Sequence, residues 1–233
     1  MKLETSEMQL KLIQQLFRQY EQYLQTPAAA DRLYIWESQR IFQENWNMAA
    51  ENWSEMFDQS LQNSHTRRLW LREAYEPKKR MMEFIQLAPD FVQHMFFDLF
   101  NEEKAVDGRA SRFVFYCDQM MESYLEQYPL SKENSHYHDD NYHMVFLYLS
   151  FRFPDKYCLH DPEAFRRLLQ AVGSQDIPKT NDVERYAKVC QTLWKWMQKE
   201  TQILDLHQQR LQSGLHYTED SLMLVYDMMQ AVL

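Results

Sequence analysis

Residues 161–173 read Asp161-Pro162-Glu163-Ala164-Phe165-Arg166-Arg167-Leu168-Leu169-Gln170-Ala171-Val172-Gly173. An aspartate can accept the free amide hydrogens of a first helical turn, and proline suits the position after it because no intrahelical acceptor awaits its nitrogen. Glutamate in that turn complements the helix dipole. Gly173, at the far end, is a natural C-cap. The stretch therefore contains a complete helix with its start and stop signals.

The same grammar continues in both directions. Asn181-Asp182 opens a long helix with Val183, Tyr186, Cys190, Leu193 and Met197 on one face, broken at Gly214. Thr218-Glu219-Asp220-Ser221 reopens it, and Leu222, Val225, Tyr226 and Met229 form a final stripe. Upstream, Tyr142 to Phe153 is an almost continuous apolar run that periodicity cannot separate into helix or buried strand. Its length and helical neighbours favour helix. Phe113, Cys117, Met120 and Tyr124 mark another helical face, preceded by a turn signal at Asp107-Gly108. Pro77 opens a helix to Gln86, and Pro89 another to Phe100. Leu10, Ile13, Phe17, Tyr20 and Leu24 form a first helix ended by Thr26-Pro27. Phe42, Trp46, Ala49, Trp53, Met56 and Ser60 predict one amphipathic helix of about eight turns from Asp31, with glutamates and glutamines on its solvent face. The expected fold is all-α, an irregular multi-helix bundle of about eight to ten helices. A long-helix section, 1–76, precedes a compact helical domain, 77–233.

Composition agrees. Only 3 of 233 residues are glycine, which disfavours strand-and-turn folds and phosphate-cradling loops. There is no GxxxxGK[ST], GxGxxG or GxSxG motif. Lys and Arg number 25 against 34 Asp and Glu, a net charge of −9, so a whole-surface nucleic-acid footprint is absent and only a local patch could serve. Cys117, Cys158 and Cys190 fit neither a disulfide framework nor a zinc knuckle and read as buried thiols in a reducing cytoplasm. No apolar run is long enough to span a membrane. A cytoplasmic protein without catalytic machinery or cofactor is expected.

Three features could bear function. His136, His138, Asp139, Asp140 and His143 place five possible metal ligands within eight residues. The plainer account is a helix cap beside a polar loop. Arg67, Arg68, Arg72, Lys78, Lys79 and Arg80, against Glu73 and Glu76, give a local charge of +4 with Trp70 interleaved. Arginines beside aromatics can hold phosphate and stack on bases, although a solvated helix face has the same composition. Trp36, Trp46, Trp53, Trp70, Trp194 and Trp196 could form a protein-contact face or simply pack.

Four stretches resemble a known family: Phe96-Phe97-Asp98-Leu99-Phe100-Asn101-Glu102-Glu103 with Arg109 and Arg112-Phe113; His136-Tyr137-His138-Asp139-Asp140, then Leu147-Tyr148-Leu149 and Phe153-Pro154-Asp155-Lys156-Tyr157; Ile177-Pro178 with Asp182-Val183-Glu184-Arg185-Tyr186 and Lys188; and Asp220-Ser221-Leu222-Met223-Leu224-Val225-Tyr226-Asp227. Over residues 90–230 the chain is similar to the helical region ahead of the motor in McrB-like AAA+ ATPases of type IV restriction and related bacterial defence. The resemblance implies a specificity or adaptor module that recognises DNA or a protein trigger, partnered with a nuclease subunit. Its motor would follow Leu233 and drive oligomerisation. The alternative is a helical protein–protein interaction scaffold that does not bind nucleic acid.

Overall fold

A computed structural model of the chain describes residues 7–71, 76–130 and 141–233. Within them the fold is all-α, with eleven α-helices and no strand. In order these are α1 Glu7–Leu24, α2 Tyr34–Asn45, α3 Trp53–Ser60, α4 Pro77–Leu87, α5 Pro89–Leu99, α6 Val106–Gln127, α7 His143–Arg152, α8 Pro162–Ala171, α9 Val183–Met197, α10 Thr201–Arg210 and α11 Met223–Val232. A short 3-10 helix, Pro27–Ala30, follows α1.

The capping grammar holds where it was clearest. Asp161 accepts the amides of Glu163 and Ala164 at the start of α8, and Gly173 beyond its end has φ +69°. Asp182 accepts the amide of Arg185 at the start of α9. Prolines open α4, α5 and α8.

Three expectations are corrected. The stripe from Phe42 to Ser60 is two helices, because α2 ends at Asn45 and Asn52 caps α3 afresh by accepting the amide of Glu55. The chain folds back between them, so Trp46 and Trp53 still meet, edge to face at 5.9 Å. The long helix expected up to Gly214 likewise divides after Met197 into α9 and α10. Asp107 and Gly108, expected as a turn, lie in the first turn of α6, where Asp107 faces the positive end of the helix dipole.

The centre is α7. Met144 to Phe151 are all buried, so the helix is apolar on every side and shows no amphipathic period. Burying both flanks of a helix end requires partners for its last carbonyls. α2 supplies them: Gln39 Nε2 donates to Ser150 O at 3.1 Å, and Gln43 Nε2 donates to Phe151 O. The polar face of α2 is therefore partly inside the protein. Glu37, Ser38 and Gln39 are buried, and Glu37 accepts the Ser64 amide at 2.9 Å.

One hydrophobic core runs from Ile13 to Met229, shared by helices on both sides of residue 76. α1 packs on α10 and α11, α2 on α3 and α7, and α6 on α5, α7 and α9. Inside it lies a polar knot on α11. Asp227 is fully buried; Arg32 Nε reaches its Oδ1 at 2.5 Å, Arg210 Nη2 its Oδ2 at 2.8 Å, and the Tyr20 hydroxyl its Oδ2 at 2.6 Å. Burial alone would raise this carboxyl, but Arg210 and Arg32 hold it below its usual range. Arg210 also donates from Nε to His207 Nδ1 and lies 5.0 Å over the Trp36 ring. Burial, then the Arg210 charge, lowers the His207 pKa to about 3.

Replacing Asp227 by Asn is expected to lower the unfolding free energy by about 3 kcal/mol or more, because two largely buried guanidinium groups lose their counter-charge. Urea denaturation checks this. Stability should also fall with pH from about 6.5 downward: unfolded His207 takes up a proton near its ordinary value, while the folded ring stays neutral until about 3. In a His207→Gln protein the urea midpoint should fall less steeply between those values.

Candidate functional site

The basic segment follows α3 and leads into α4. Its approach is an ordered turn: Asn63 Oδ1 accepts the amides of His65 and Thr66, and Arg67 O accepts those of Trp70 and Leu71. His143, the first residue of α7, donates from Nε2 to Leu69 O at 2.9 Å and fastens this turn to the central helix.

The structure sorts the named basic residues into two groups. Lys78 and Arg80 are tied into the fold. Lys78 Nζ donates to the carbonyls of Asp58 and Leu61 at 3.0 and 2.7 Å and pairs with Asp58 Oδ1 at 2.7 Å, so it caps the C-terminal end of α3. The Arg80 guanidinium is buried, 4.1 Å over the Tyr124 ring, and pairs with Glu83 at 2.6 Å. Trp70 is only 4% exposed, so its ring is covered by protein and has no open face for a stacked base. Arg67, Arg68 and Lys79 are exposed. Arg72 lies outside the described residues. Arg67 and Lys79 share an open cleft of about 460 Å³ with Asp58, Trp70, Glu76 and Lys78.

Of the five possible metal ligands, His136, His138, Asp139 and Asp140 lie outside the described residues. His143 has the structural partner given above. Among the described residues no three His, Cys, Asp or Glu side chains converge as metal ligands would.

Of the two accounts of the tryptophans, packing is the one the structure shows. Trp36, Trp53, Trp70 and Trp194 are buried, and Trp46 and Trp196 partly so. They are core residues, not an outward surface. Trp194 and Trp196, two positions apart, diverge as their spacing requires, with Trp196 edging a small apolar crevice beside Ile13 and Leu168.

The cysteines are all buried. Burial pushes the Cys117 and Cys190 thiols well up, which disfavours the reactive thiolate. Cys158 Sγ lies 3.3 Å from the Tyr186 hydroxyl, which also donates to Leu159 O.

Within the described residues, the stretch around Asp98–Arg112 and the one at Lys156-Tyr157 are joined by polar contacts. Asp98 binds Lys104 at 2.5 Å and Arg112 at 2.7 Å, and these two cations hold its carboxyl low against the effect of burial. Buried Arg109 donates to Leu99 O and to the Tyr157 hydroxyl, both at 2.7 Å. Glu102 pairs with Lys156 and accepts from Tyr157. The α5–α6 loop is thus latched to the segment after α7. Sequence reasoning did not assign these pairings, nor the knot at Asp227. The available signal was a lone aspartate in the apolar run Leu222–Met229.

Comparison with known proteins finds no matching family model, no matching curated protein and no matching solved structure.

The division of the basic residues has a thermodynamic signature. Arg80→Ala should cost about 2–4 kcal/mol through lost buried packing, and Lys78→Ala about 1 kcal/mol through the lost cap. Arg67→Ala and Lys79→Ala should stay within about 0.5 kcal/mol of the parent in urea denaturation.

Proposed function

We propose that the chain is a non-catalytic specificity or adaptor module, the role implied by its resemblance to the region ahead of the motor in McrB-like defence ATPases. In this reading it binds its target without transforming it, and a nuclease subunit and a ring-forming motor are partners of the whole assembly. The carrying observation is that Arg67, Arg68 and Lys79 are exposed beside an open cleft, whereas neighbouring Lys78 and Arg80 are held by the fold. Exposed arginine and lysine side chains can reach phosphate oxygens, which is how such residues position a protein on a nucleic-acid backbone. A binding role is further supported by the use made of groups that elsewhere carry catalysis. His143, His160 and His207 engage backbone or arginine partners, and the cysteines are buried.

The alternative, a scaffold for another protein, draws support from the net charge of −9 and from exposed Phe97 and Phe115.

The two readings separate on the salt dependence of binding to a fluorescent DNA duplex. Replacing Arg67, Arg68 and Lys79 together by Ala should reduce the slope of log K against log salt by about 2–3, at roughly 0.9 per phosphate contact. An unchanged slope, or no binding at low salt by the parent protein, would overturn the nucleic-acid reading.

A further inference from the structure

Phe97 lies between buried Phe96 and Asp98 on α5, yet keeps 54% of its surface exposed. It lines an open cleft of about 830 Å³ together with Met48, Phe100, Phe153, Glu103 and Arg152. The cleft is open to solvent along much of its extent, with room for one or two side chains laid on its floor. The aromatic lining is anchored from beneath. Phe100 meets Phe153 at 5.9 Å and Trp46 at 5.8 Å, both edge to face, and Trp46 meets Phe96 at 5.0 Å. The latched α5–α6 loop fixes one rim.

The charges on the rim are unequal in their freedom. Lys156 lies over Phe153 but is paired with Glu102. The exposed Arg152 guanidinium, 5.6 Å over the same ring, has no carboxylate partner among the described residues. The Glu103 carboxylate likewise has no cation there. A cation already shielded on one face by an aromatic ring forms a strong charge-assisted bond with a carboxylate brought beside it.

We propose that this cleft docks an extended segment of a partner protein in which a Phe, Leu or Met side chain stands next to an acidic residue. The apolar side chain fills the space between Phe97, Phe100 and Phe153, and the acidic one pairs with Arg152. A phosphate could also meet Arg152, but Glu102 and Glu103 on the rim and the chain's charge of −9 oppose a polyanion. This cleft has no lining residue in common with the basic one, so the proposal does not depend on the nucleic-acid reading.

The test selects random phage-displayed peptides on the whole chain, with counter-selection on a Phe97→Asp protein, and then measures a selected peptide by fluorescence polarisation. Enriched peptides should place Phe, Leu or Met beside Asp or Glu. Their affinity should fall by about tenfold or more in Phe97→Asp and in Arg152→Glu, as for a buried anchor. It should be unchanged in Met8→Asp, an exposed apolar residue of α1 outside the cleft. Exchanging the peptide's acidic residue for Lys should restore binding to Arg152→Glu. Should Phe97→Asp fail to fold, Phe97→Ser replaces it. No enrichment, peptides lacking the acidic residue, or binding indifferent to Arg152→Glu would overturn the proposal. Oligothymidylate binding that is lost in the Phe97 variant while peptides are inert would assign the cleft to nucleobases and overturn it equally.

Discussion

Asp227 has no contact with water, and the organisation of the chain's two ends follows from that. A carboxylate in such a place must be compensated by partners, and these come from far along the sequence: Tyr20 on α1, Arg32 before α2 and Arg210 at the end of α10. Arg210 extends the knot by donating to Ala29 O at 2.6 Å and by resting on Trp36. A shift of α10 away from α11 would separate buried charges, and one of α1 would break the buried Tyr20 hydrogen bond. The ionic knot therefore fixes a relative placement that apolar packing, which is non-directional, specifies less sharply.

A second polar constraint governs the middle. α7 is buried on every side, and its final carbonyls would be orphaned but for the glutamines of α2. Gln39 also accepts from Ser221 at 3.1 Å, just ahead of α11, so one side chain ties α2 to the central helix and to the C-terminal one. The backbone adds two more ties: Leu222 N donates to Pro154 O, and Tyr217 N to Trp36 O. The fold reads as an apolar core whose register is set by a few buried hydrogen bonds.

Surface chemistry is what this interior leaves over. The basic segment is rich in cations by sequence, yet two of its five described cations serve the fold: Lys78 caps a helix, and Arg80 is buried on Tyr124. Conversely, α5 alternates buried and outward aromatics with no sequence mark to say that Phe97 would stay uncovered. Arg152, too, reads simply as a basic residue in the last turn of α7. Only its place over Phe153, with no carboxylate partner among the described residues, suits it to the docking role proposed above.

The sequence by itself determined the helical class and the best-punctuated elements. Asp161-Pro162 and Gly173, the aspartate at 182 and the prolines at 77 and 89 act through local hydrogen bonds and dihedral limits that need no distant partner. Tertiary structure decided where apolar stripes break. Trp46 and Trp53 lie seven apart in either one helix or two, because a chain that folds back can restore the same spacing in space. It also decided which polar residues are inside: Gln39, Arg80 and Asp227 look like solvent-facing groups until a helix from elsewhere in the chain covers them. Their partners lie 111, 44 and 207 residues away for Ser150, Tyr124 and Tyr20 respectively, separations at which helical periodicity carries no information.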